Sequence, residues 1–319
     1  MTDFINTLPR KIEIREVGPR EGFQAIKEVI PTEKKIQLIN ALMDTGVKRL
    51  QVTSFAHPKV VPQHADAEDV LNGIDRREGV EVAVLIPNLK GAERAMKCKT
   101  DEWNLMLSAS DSHSKANANK TTLEALAKMS DIVAMAKDAG VTVTGSMSVA
   151  LGCPFEGTLP IERLYMIVEE YLKIGVTSVG ISDTAGMADP RLTYNYVKEL
   201  IDRYPEVSYK LHFHNTRGMG LANIIAAMQA GATIFDSSVA GLGGCPFVPN
   251  ASGNVPTEDL VHAMDRMGVE TGINLKQVIS ISKDLESAFN FKSKGYVTEA
   301  GTADQLHDLV MARIASSKK

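Results

Sequence analysis

Short apolar runs rich in β-branched residues alternate with longer stretches of helical periodicity along most of this chain. Several runs, such as Val80–Ile86, are mostly apolar, which is typical of parallel strands that are buried on both faces. The pattern predicts eight strands, at Lys11–Val17, Arg49–Thr53, Glu81–Ile86, Glu102–Leu107, Val141–Ser146, Ser178–Ser182, Tyr209–Phe213 and Thr233–Ser237.

The segments between these strands predict helices, and several of them end at a glycine that can close a helix before the next strand. The predicted helices are Thr32–Thr45, His64–Ile74, Leu89–Cys98, Thr121–Ala139, Pro160–Ile174, Pro190–Tyr204 and Leu221–Ala230. Two more, Thr257–Met267 and Leu275–Ser287, follow the eighth strand, and the tail beyond Phe291 is polar and weakly patterned.

Eight strand–helix units predict an α/β fold, a TIM (β/α)8 barrel with additional C-terminal helices. The alternative is an open, doubly wound sheet, but no glycine-rich dinucleotide-binding motif follows the first strand. We expect a single domain over residues 1–319, with the barrel at about 11–256 and a C-terminal helical cap at about 257–319.

Composition narrows the class of protein. The 319 residues include 44% hydrophobic residues, enough for a large core, and 35 basic against 39 acidic residues indicate no nucleic-acid partner. Three scattered cysteines form no disulfide framework, which favours a reducing compartment. No apolar run approaches the ~20 residues needed to cross a bilayer, and the N-terminus does not resemble a signal peptide. We expect a cytoplasmic protein without a membrane partner.

Two histidines end the seventh predicted strand. Successive strand side chains point to opposite faces, so His212 and His214 share one face and can bind one metal ion together. The alternative is a pair of structural histidines. Because the chemistry of TIM barrels gathers at the C-terminal ends of the strands, the position favours a metal site.

The turn after the first strand carries Arg20 and Glu21. Glu21 can supply an oxygen ligand, and Arg20 can clamp a developing oxyanion or a carboxylate. The alternative is a surface ion pair beside a turn. Other polar residues at strand ends are candidates for substrate contacts, namely Gln24, Ser54, Asn88, Lys90 and Ser148.

Glycines surround Cys245 in the loop after the eighth strand. Backbone freedom at Gly241, Gly243 and Gly244 would let this loop act as a lid that carries Cys245 onto bound substrate. The alternative is an inert, small apolar side chain.

A set of motifs spread over roughly Ile12 to Leu275 resembles the 3-hydroxy-3-methylglutaryl-CoA lyase family of barrel metallolyases. The motifs are Gly18-Pro19-Arg20, Thr53-Ser54-Phe55, Pro87-Asn88-Leu89-Lys90-Gly91, Leu151-Gly152-Cys153-Pro154, Asp183-Thr184, His212-Phe213-His214 and the run Ser237–Asn254. The resemblance implies a divalent Mg or Mn ion and a homodimer or higher oligomer. It also implies cleavage of a 3-hydroxyacyl-CoA, first of all 3-hydroxy-3-methylglutaryl-CoA, to acetyl-CoA and a 3-oxo acid.

The resemblance also implies residue roles. His212, His214 and Asn254 match metal-ligand positions. Arg20 matches the arginine that stabilises the enolate of the leaving acetyl-CoA. Asp183 matches an acid near the substrate hydroxyl, and Cys245 matches a lid cysteine that takes part in proton transfer.

Three positions depart from the family pattern. Glu21 and Asn215 stand where the family has Asp, and Gln51 stands where it has Glu. Gln51 cannot act as a proton acceptor or as an anionic partner for Arg20. We therefore hypothesise a retuned site that acts on a related hydroxyacyl-CoA, with the standard substrate as the leading expectation.

Two other functions stay open at this point. A condensing acyl-CoA synthase or aldolase is one, although such relatives usually carry extra C-terminal domains and little chain follows Asn254. A catalytically silent metal-binding homologue is the other. Glu21 and Gln51 support it, whereas the retained Arg20, Asp183, histidine pair and Cys245 argue against it.

Overall fold

Eight parallel strands close into a barrel in the computed structural model, which describes residues 7–244, 253–289 and 291–317. Each strand pairs with its neighbours in the sequence, and β1 pairs with β8 to close the barrel. The barrel prediction is confirmed, and the open sheet is excluded. The strands are β1 Glu13–Glu16, β2 Arg49–Ser54, β3 Glu81–Leu85, β4 Glu102–Ser108, β5 Thr142–Ser148, β6 Ser178–Asp183, β7 Ser208–Phe213 and β8 Ile234–Ser237.

Helices cover the outside of the barrel and continue beyond it. They are α1 Phe23–Ala25, α2 Thr32–Met43, α3 Ala67–Gly73, α4 Leu89–Ala95, α5 Asp111–Ala118, α6 Thr122–Leu126, α7 Ser130–Asp138, α8 Ile161–Lys173, α9 Pro190–Arg203, α10 Gly220–Gln229, α11 Thr257–Met267, α12 Leu275–Phe289, α13 Tyr296–Ala300 and α14 Ala303–Ser317. None of the described helices is both long and apolar enough to span a membrane.

Helix α8 shows how the outer layer is held on the barrel. Leu164, Ile167, Val168 and Tyr171 recur at helical spacing and are fully buried. Burying an aliphatic side chain of this size contributes roughly 1.5–3 kcal/mol. Because the stripe spans two turns, the whole face of the helix packs onto the sheet.

Three differences from the predicted helices have physical causes. The single helix expected at Thr121–Ala139 is two helices, α6 and α7. The sequence does not show the break, because the buried positions keep helical spacing across it. Helix α5 was not predicted, since it buries only His113 and Ser114 and so has no apolar stripe. Helices α13 and α14 were not predicted either, and no residue of α14 is buried.

Charged side chains occupy part of the barrel interior. Arg15 donates to Glu102 at 2.8 Å and makes two bonds to Asp236, at 2.7 and 2.9 Å. Lys210 contacts Glu102 and donates to Thr144 at 2.7 Å. Burial, followed by Arg15, lowers the pKa of Lys210 to about 8. Buried charges are costly unless paired, and here each has a partner.

The C-terminal helices are anchored to the loop that follows β8. The buried Glu258 of α11 accepts hydrogen bonds from Ala240 N at 3.1 Å, Ser282 Oγ at 2.9 Å and Thr298 Oγ1 at 2.7 Å. The cap therefore supports the strand end from which the predicted lid loop departs.

Candidate active site

The turn after β1 places two charged side chains at the mouth of the barrel. Gly18–Gly22 forms one π-helical turn, in which Arg20 N and Glu21 N donate to Val17 O at 3.1 and 2.8 Å. Behind the turn, His64 Nε2 lies 2.8 Å from the Arg20 carbonyl oxygen. Arg20 and Glu21 are 7% and 9% exposed, so both charges are held away from bulk water.

Glu21 meets His212 of β7 and His214, which directly follows β7, across the mouth. Its Oε1 lies 3.0 Å from His214 Nε2 and 3.6 Å from His212 Nε2, and the two Nε2 atoms are 3.1 Å apart. The three ligand atoms lie within 4.8 Å of one another, and all three residues are buried. Two imidazole nitrogens and a carboxylate oxygen that converge in this way fit a divalent cation. The structure thus brings these three predicted ligands together.

Asp236 of β8 aims His212 at this cluster. The two side chains are 3.0 Å apart, so His212 Nδ1–H donates to Asp236 Oδ2 while Nε2 faces Glu21. Burial alone would lower the pKa of His212, but Glu21 and Asp236 raise it to about 9. Asp236 is held in place by Arg15. Sequence reasoning missed Arg15 and Asp236, because a charge inside a buried strand shows its partner only after folding.

Asn254, the fourth predicted ligand, lies beside the cluster. It forms a bridge with His214, and its Nδ2 donates to Leu242 O at 2.9 Å. Its Oδ1 is buried and has no partner in the described residues, so this oxygen is available to a cation. Gly243 separates Asn254 from Glu21. A Cβ there would lie 2.4 Å from Asn254 Nδ2 and 3.4 Å from Glu21 Cγ, so only glycine fits.

Arg20 bridges Glu21 and Gln51. Arg20 Nη2 lies 3.0 Å from Glu21 Oε2, and Arg20 Nε donates to Gln51 Oε1. The anionic partner of Arg20 is therefore Glu21, while the amide of Gln51 keeps a hydrogen bond without a charge. Gln51 is fully buried, and its Nε2 has no partner within the described part of the chain. Such a donor is costly unless a ligand oxygen satisfies it.

Asp183 ends β6 with one oxygen uncommitted. Its Oδ1 accepts from Met187 N at 2.8 Å and Ala188 N at 3.2 Å, whereas Oδ2 is buried without a partner among the described residues. Burial raises the pKa of Asp183 to about 7. A carboxyl group that titrates near neutrality can take up and release a proton at its free oxygen.

Asn215 has a structural position. Its backbone amide donates to Gly253 O at 2.8 Å, and its Oδ1 accepts from Gly220 N at 3.1 Å. It links the end of β7 to the start of α10 and to the segment before Asn254. Both bonds need only an oxygen acceptor and a backbone amide, so the amide serves as well as a carboxylate here.

A cavity of about 220 Å³ lies against the cluster and Arg20. Two predicted substrate residues, Gln24 and Ser148, line it. The residues of its wall that sequence reasoning missed are Leu85, Met106, His113, Asn117 and Thr184. The one sequence feature that could have indicated a helix start before His113 is Ser110, a residue type common at N-caps, whose side chain accepts from His113 N in the structure.

The other predicted residues are placed differently. Ser54 is buried, and its hydroxyl accepts from a backbone amide of its own turn. Asn88 caps α4 and, with Lys90, lines a separate cavity of about 530 Å³ that shares Met106 with the first. Cys245 lies outside the described residues.

The fold and this site define a class of enzyme. A parallel (β/α)8 barrel carries, at the C-terminal ends of its strands, a buried Glu–His–His cluster, an arginine and an uncommitted carboxyl group. This is the arrangement of a (β/α)8-barrel enzyme with a candidate metal centre.

The chain belongs to the HMGL-like family, whose model matches residues 11–285. It is 41% identical over 278 residues to hydroxymethylglutaryl-CoA lyase YngG of Bacillus subtilis, covering 87% of this chain and 93% of the relative. It is 36% identical to the mitochondrial hydroxymethylglutaryl-CoA lyase of Homo sapiens, over 94% of this chain and 92% of the relative.

A solved structure supports the same assignment. It is an HMG-CoA lyase from Acinetobacter baumannii in complex with coenzyme A and 3-methylmalate. The two chains share 39% identity and a TM-score of 0.88, over 95% of this chain and 98% of the other. The present chain is accordingly an enzyme of the hydroxymethylglutaryl-CoA lyase type.

Proposed function

We propose that this enzyme cleaves 3-hydroxy-3-methylglutaryl-CoA to acetyl-CoA and acetoacetate with a divalent metal ion. The observation that carries the proposal is the convergence of Glu21, His212 and His214 beside Arg20 in one buried cavity. The relatives named above are all hydroxymethylglutaryl-CoA lyases, which supports the choice of substrate.

The ligands favour Mg or Mn. Glu21, His212 and His214 would hold the ion, with Asn254 Oδ1 as a further oxygen ligand. Carboxylate, amide and imidazole donors without a thiolate suit these ions. When bound, the ion supplies Lewis acidity that eases ionisation of a nearby substrate hydroxyl.

The side chains around the ion account for the bond cleavage. Asp183 Oδ2 takes the proton of the 3-hydroxyl group, since its pKa of about 7 lets it accept a proton near neutrality. The C2–C3 bond then breaks, the hydroxyl carbon becomes a ketone, and the electron pair leaves on the enolate of acetyl-CoA. Arg20 stabilises this enolate, and Cys245 delivers the proton that completes acetyl-CoA.

Other residues bind the substrate in this proposal. Gln24 and Ser148 contact the acyl group, because both line the cavity beside the cluster. Asn88 and Lys90 line the adjoining cavity and contact the coenzyme A portion. Ser54 supports the strand end next to Gln51.

The test is an assay of acetyl-CoA and acetoacetate release by protein that has been stripped with chelator and reloaded with Mg or Mn. We expect turnover of 3-hydroxy-3-methylglutaryl-CoA that depends on the metal. His214→Ala should bind less metal and lose turnover. No acetyl-CoA from the metal-loaded protein would contradict the proposal.

A related 3-hydroxyacyl-CoA is the second candidate substrate. The neutral Gln51 beside Arg20 and the longer carboxylate of Glu21 favour it. A panel of 3-hydroxyacyl-CoA thioesters decides between the two, since a retuned site turns over another thioester well and the standard one poorly. The Glu21→Asp/Gln51→Glu double variant should then recover the standard activity.

We also propose that the enzyme works in the cytoplasm as a homodimer or a higher homo-oligomer. One relative carries the description cytoplasmic, in Danio rerio. Light scattering after gel filtration measures the mass of the assembly, and a monomer mass near 34.6 kDa would contradict an oligomer.

A further inference from the structure

Helix α5 turns one histidine into the substrate cavity. Of its eight residues, only His113 and Ser114 are buried, and His113 is 2% exposed. The helix is fixed at its start, because Ser110 Oγ accepts from His113 N at 3.1 Å and donates to Glu156 at 2.7 Å. His113 is therefore held in the cavity wall by a capped helix turn.

We assign the proton of the His113 ring from its contact with Ser108, whose hydroxyl can donate to the ring or accept from it. Ser108 Oγ accepts from Ser110 N at 3.3 Å, so its own proton is free to donate to His113 Nδ1 at 2.9 Å. Burial lowers the pKa of His113, which keeps the ring neutral. With Nδ1 as the acceptor, Nε2 carries the proton and acts as a donor.

The partner of Nε2 is exchangeable. Asn117 Nδ2 lies 3.0 Å from Nε2 and 3.2 Å from Nδ1, and a flip of the amide places Oδ1 there as an acceptor for Nε2–H. Asn117 is exposed and lines the cavity, so its contact competes with water and with a ligand. An oxygen of a bound acyl group can replace Asn117 as the acceptor for Nε2–H.

The size of the cavity brings His113 within reach of the acyl group. His113 and the metal cluster line the same cavity of about 220 Å³, so an acyl group held at the cluster shares this space with His113. Leu85 and Met106 make part of this wall apolar. Among the described lining residues, Arg20 is the one permanent cation, and it is paired with Glu21. The wall formed by α5 therefore presents a neutral hydrogen-bond donor, His113, to the cavity.

We propose that His113 is a specificity-determining residue that donates Nε2–H to an oxygen at the far end of the acyl group. The enzyme accordingly selects 3-hydroxyacyl thioesters whose tail carries a carboxylate over those whose tail is an alkyl group. This inference rests on the proposed function, since it takes the ligand to be a 3-hydroxyacyl-CoA.

The experiment compares binding of two thioesters by calorimetry to the full chain with Mg, in an Asp183→Asn background that keeps the metal ligands but lacks the group that takes the hydroxyl proton, so that neither thioester is consumed. One is 3-hydroxy-3-methylglutaryl-CoA, and the other is 3-hydroxy-3-methylbutyryl-CoA, which lacks the tail carboxylate. His113→Leu should weaken binding of the first by about tenfold to a hundredfold, the range of a lost hydrogen bond to a charged group. Binding of the second should change by less than about threefold.

Two variants control for structural damage. His113→Gln keeps a donor in the wall and should recover most of the affinity for the carboxylate thioester. Lys115→Ala, on the exposed side of α5, should leave both affinities unchanged. Equal loss for both thioesters in His113→Leu, or no loss for either, overturns the inference.

Turnover measured in parallel separates this inference from the proposed function. Wild-type protein that cleaves neither thioester contradicts the lyase activity. If binding is nevertheless selective and this selectivity is lost in His113→Leu, the role of His113 stands. If turnover is present and the selectivity is the same in wild type and His113→Leu, the role of His113 is refuted.

Discussion

His212 illustrates how one imidazole is aimed by residues that lie away from the ligand cluster. Its Nδ1 is bound to Asp236, which is itself held by two bonds from Arg15. Arg15 also donates to Glu102, which accepts a further hydrogen bond from Lys210. Replacing such a chain of buried charges with apolar side chains is often neutral or stabilising in other proteins. Here the row of paired charges ends at His212, a candidate metal ligand, so the pairs help to place that ligand.

Asp236→Asn tests this role. The amide has one acceptor oxygen where the carboxylate has two, so its NH2 group faces a donor of Arg15 or of His212, and the negative charge that holds His212 is lost. We expect Mn affinity to fall by about tenfold to a hundredfold, measured by calorimetry. Asp202→Asn, an exposed position on α9, is the matched control. An unchanged Mn affinity in Asp236→Asn would show that the aspartate does not position the ligand.

Glu16 gives a prediction about pH. Its carboxyl group is fully buried, and burial raises its pKa from 4.5 to about 7, although Thr257, Val239 N and Gly18 N all donate to it. The folded protein thus binds this proton more tightly than the unfolded chain does. The stabilisation is complete below pH 4.5 and is lost as the pH rises through about 7.

The variant Glu16→Gln removes this titration. Ionising Glu16 in the folded protein costs about 3 kcal/mol, so the variant should gain stability relative to wild type as the pH rises from 5 to 8. Thermal midpoints of both proteins at the two pH values measure the effect. A difference between the two midpoints that is the same at pH 5 and pH 8 would exclude the raised pKa.

At the scale of elements, the strands and the helices of the barrel were predictable, and the polar additions were not. Buried parallel strands are nearly continuous apolar runs, and the period of two placed both histidines on one face. Helix α5 has too few buried residues to leave a periodic signal. The position of His113 in the cavity wall could not be predicted either, because only the folded barrel brings α5 beside the cavity.

The last two helices differ in what they bury, and this predicts different effects of truncation. No residue of α14 is buried, so a chain that ends at Gly301 should keep its thermal midpoint within about 2 °C. Helix α13 supplies Thr298 to Glu258 and two backbone amides to Asp259.

A chain that ends at Phe289 lacks α13 and leaves those two buried carboxyl groups short of donors. Each unsatisfied group costs about 1–3 kcal/mol, so the midpoint should fall by several degrees. Differential scanning calorimetry measures the thermal midpoints of the two truncated chains. Equal midpoints would mean that α13 does not support the loop after β8.

At the scale of the whole molecule, the barrel collects residues from distant parts of the chain at one end. The sequence pointed to Glu21, His212 and His214 because each lies at the end of a predicted strand or shortly after it, and strand ends meet on one face of a barrel. The pairing inside the barrel could not be predicted, since Arg15 finds Asp236 only when β1 meets β8. The ion pair of Arg20 with Glu21 was one of the two sequence interpretations, but as a surface pair, and its burial at the mouth of the barrel could not be predicted.

The variant Arg20→Gln separates the role of Arg20 in turnover from the role of the ligand residues in metal binding. Because Arg20 acts on the enolate that forms during the reaction, the variant should lower kcat by about 100-fold to 1000-fold, the usual effect of removing a group that stabilises an oxyanion. Mn affinity should remain within about threefold, since the arginine is not a ligand. Steady-state kinetics and calorimetry on one preparation separate the two effects. A variant with full kcat would contradict the role of Arg20.

The most direct test of the account is a Mn titration of chelator-stripped protein, with bound Mn and acetyl-CoA release from 3-hydroxy-3-methylglutaryl-CoA measured on the same samples. We expect one Mn per chain and turnover that rises in proportion to bound Mn. His214→Ala should show neither tight binding nor turnover. Turnover that is unchanged after metal removal, or tight Mn binding that survives in His214→Ala, would contradict the assignment of this cluster as the catalytic metal centre.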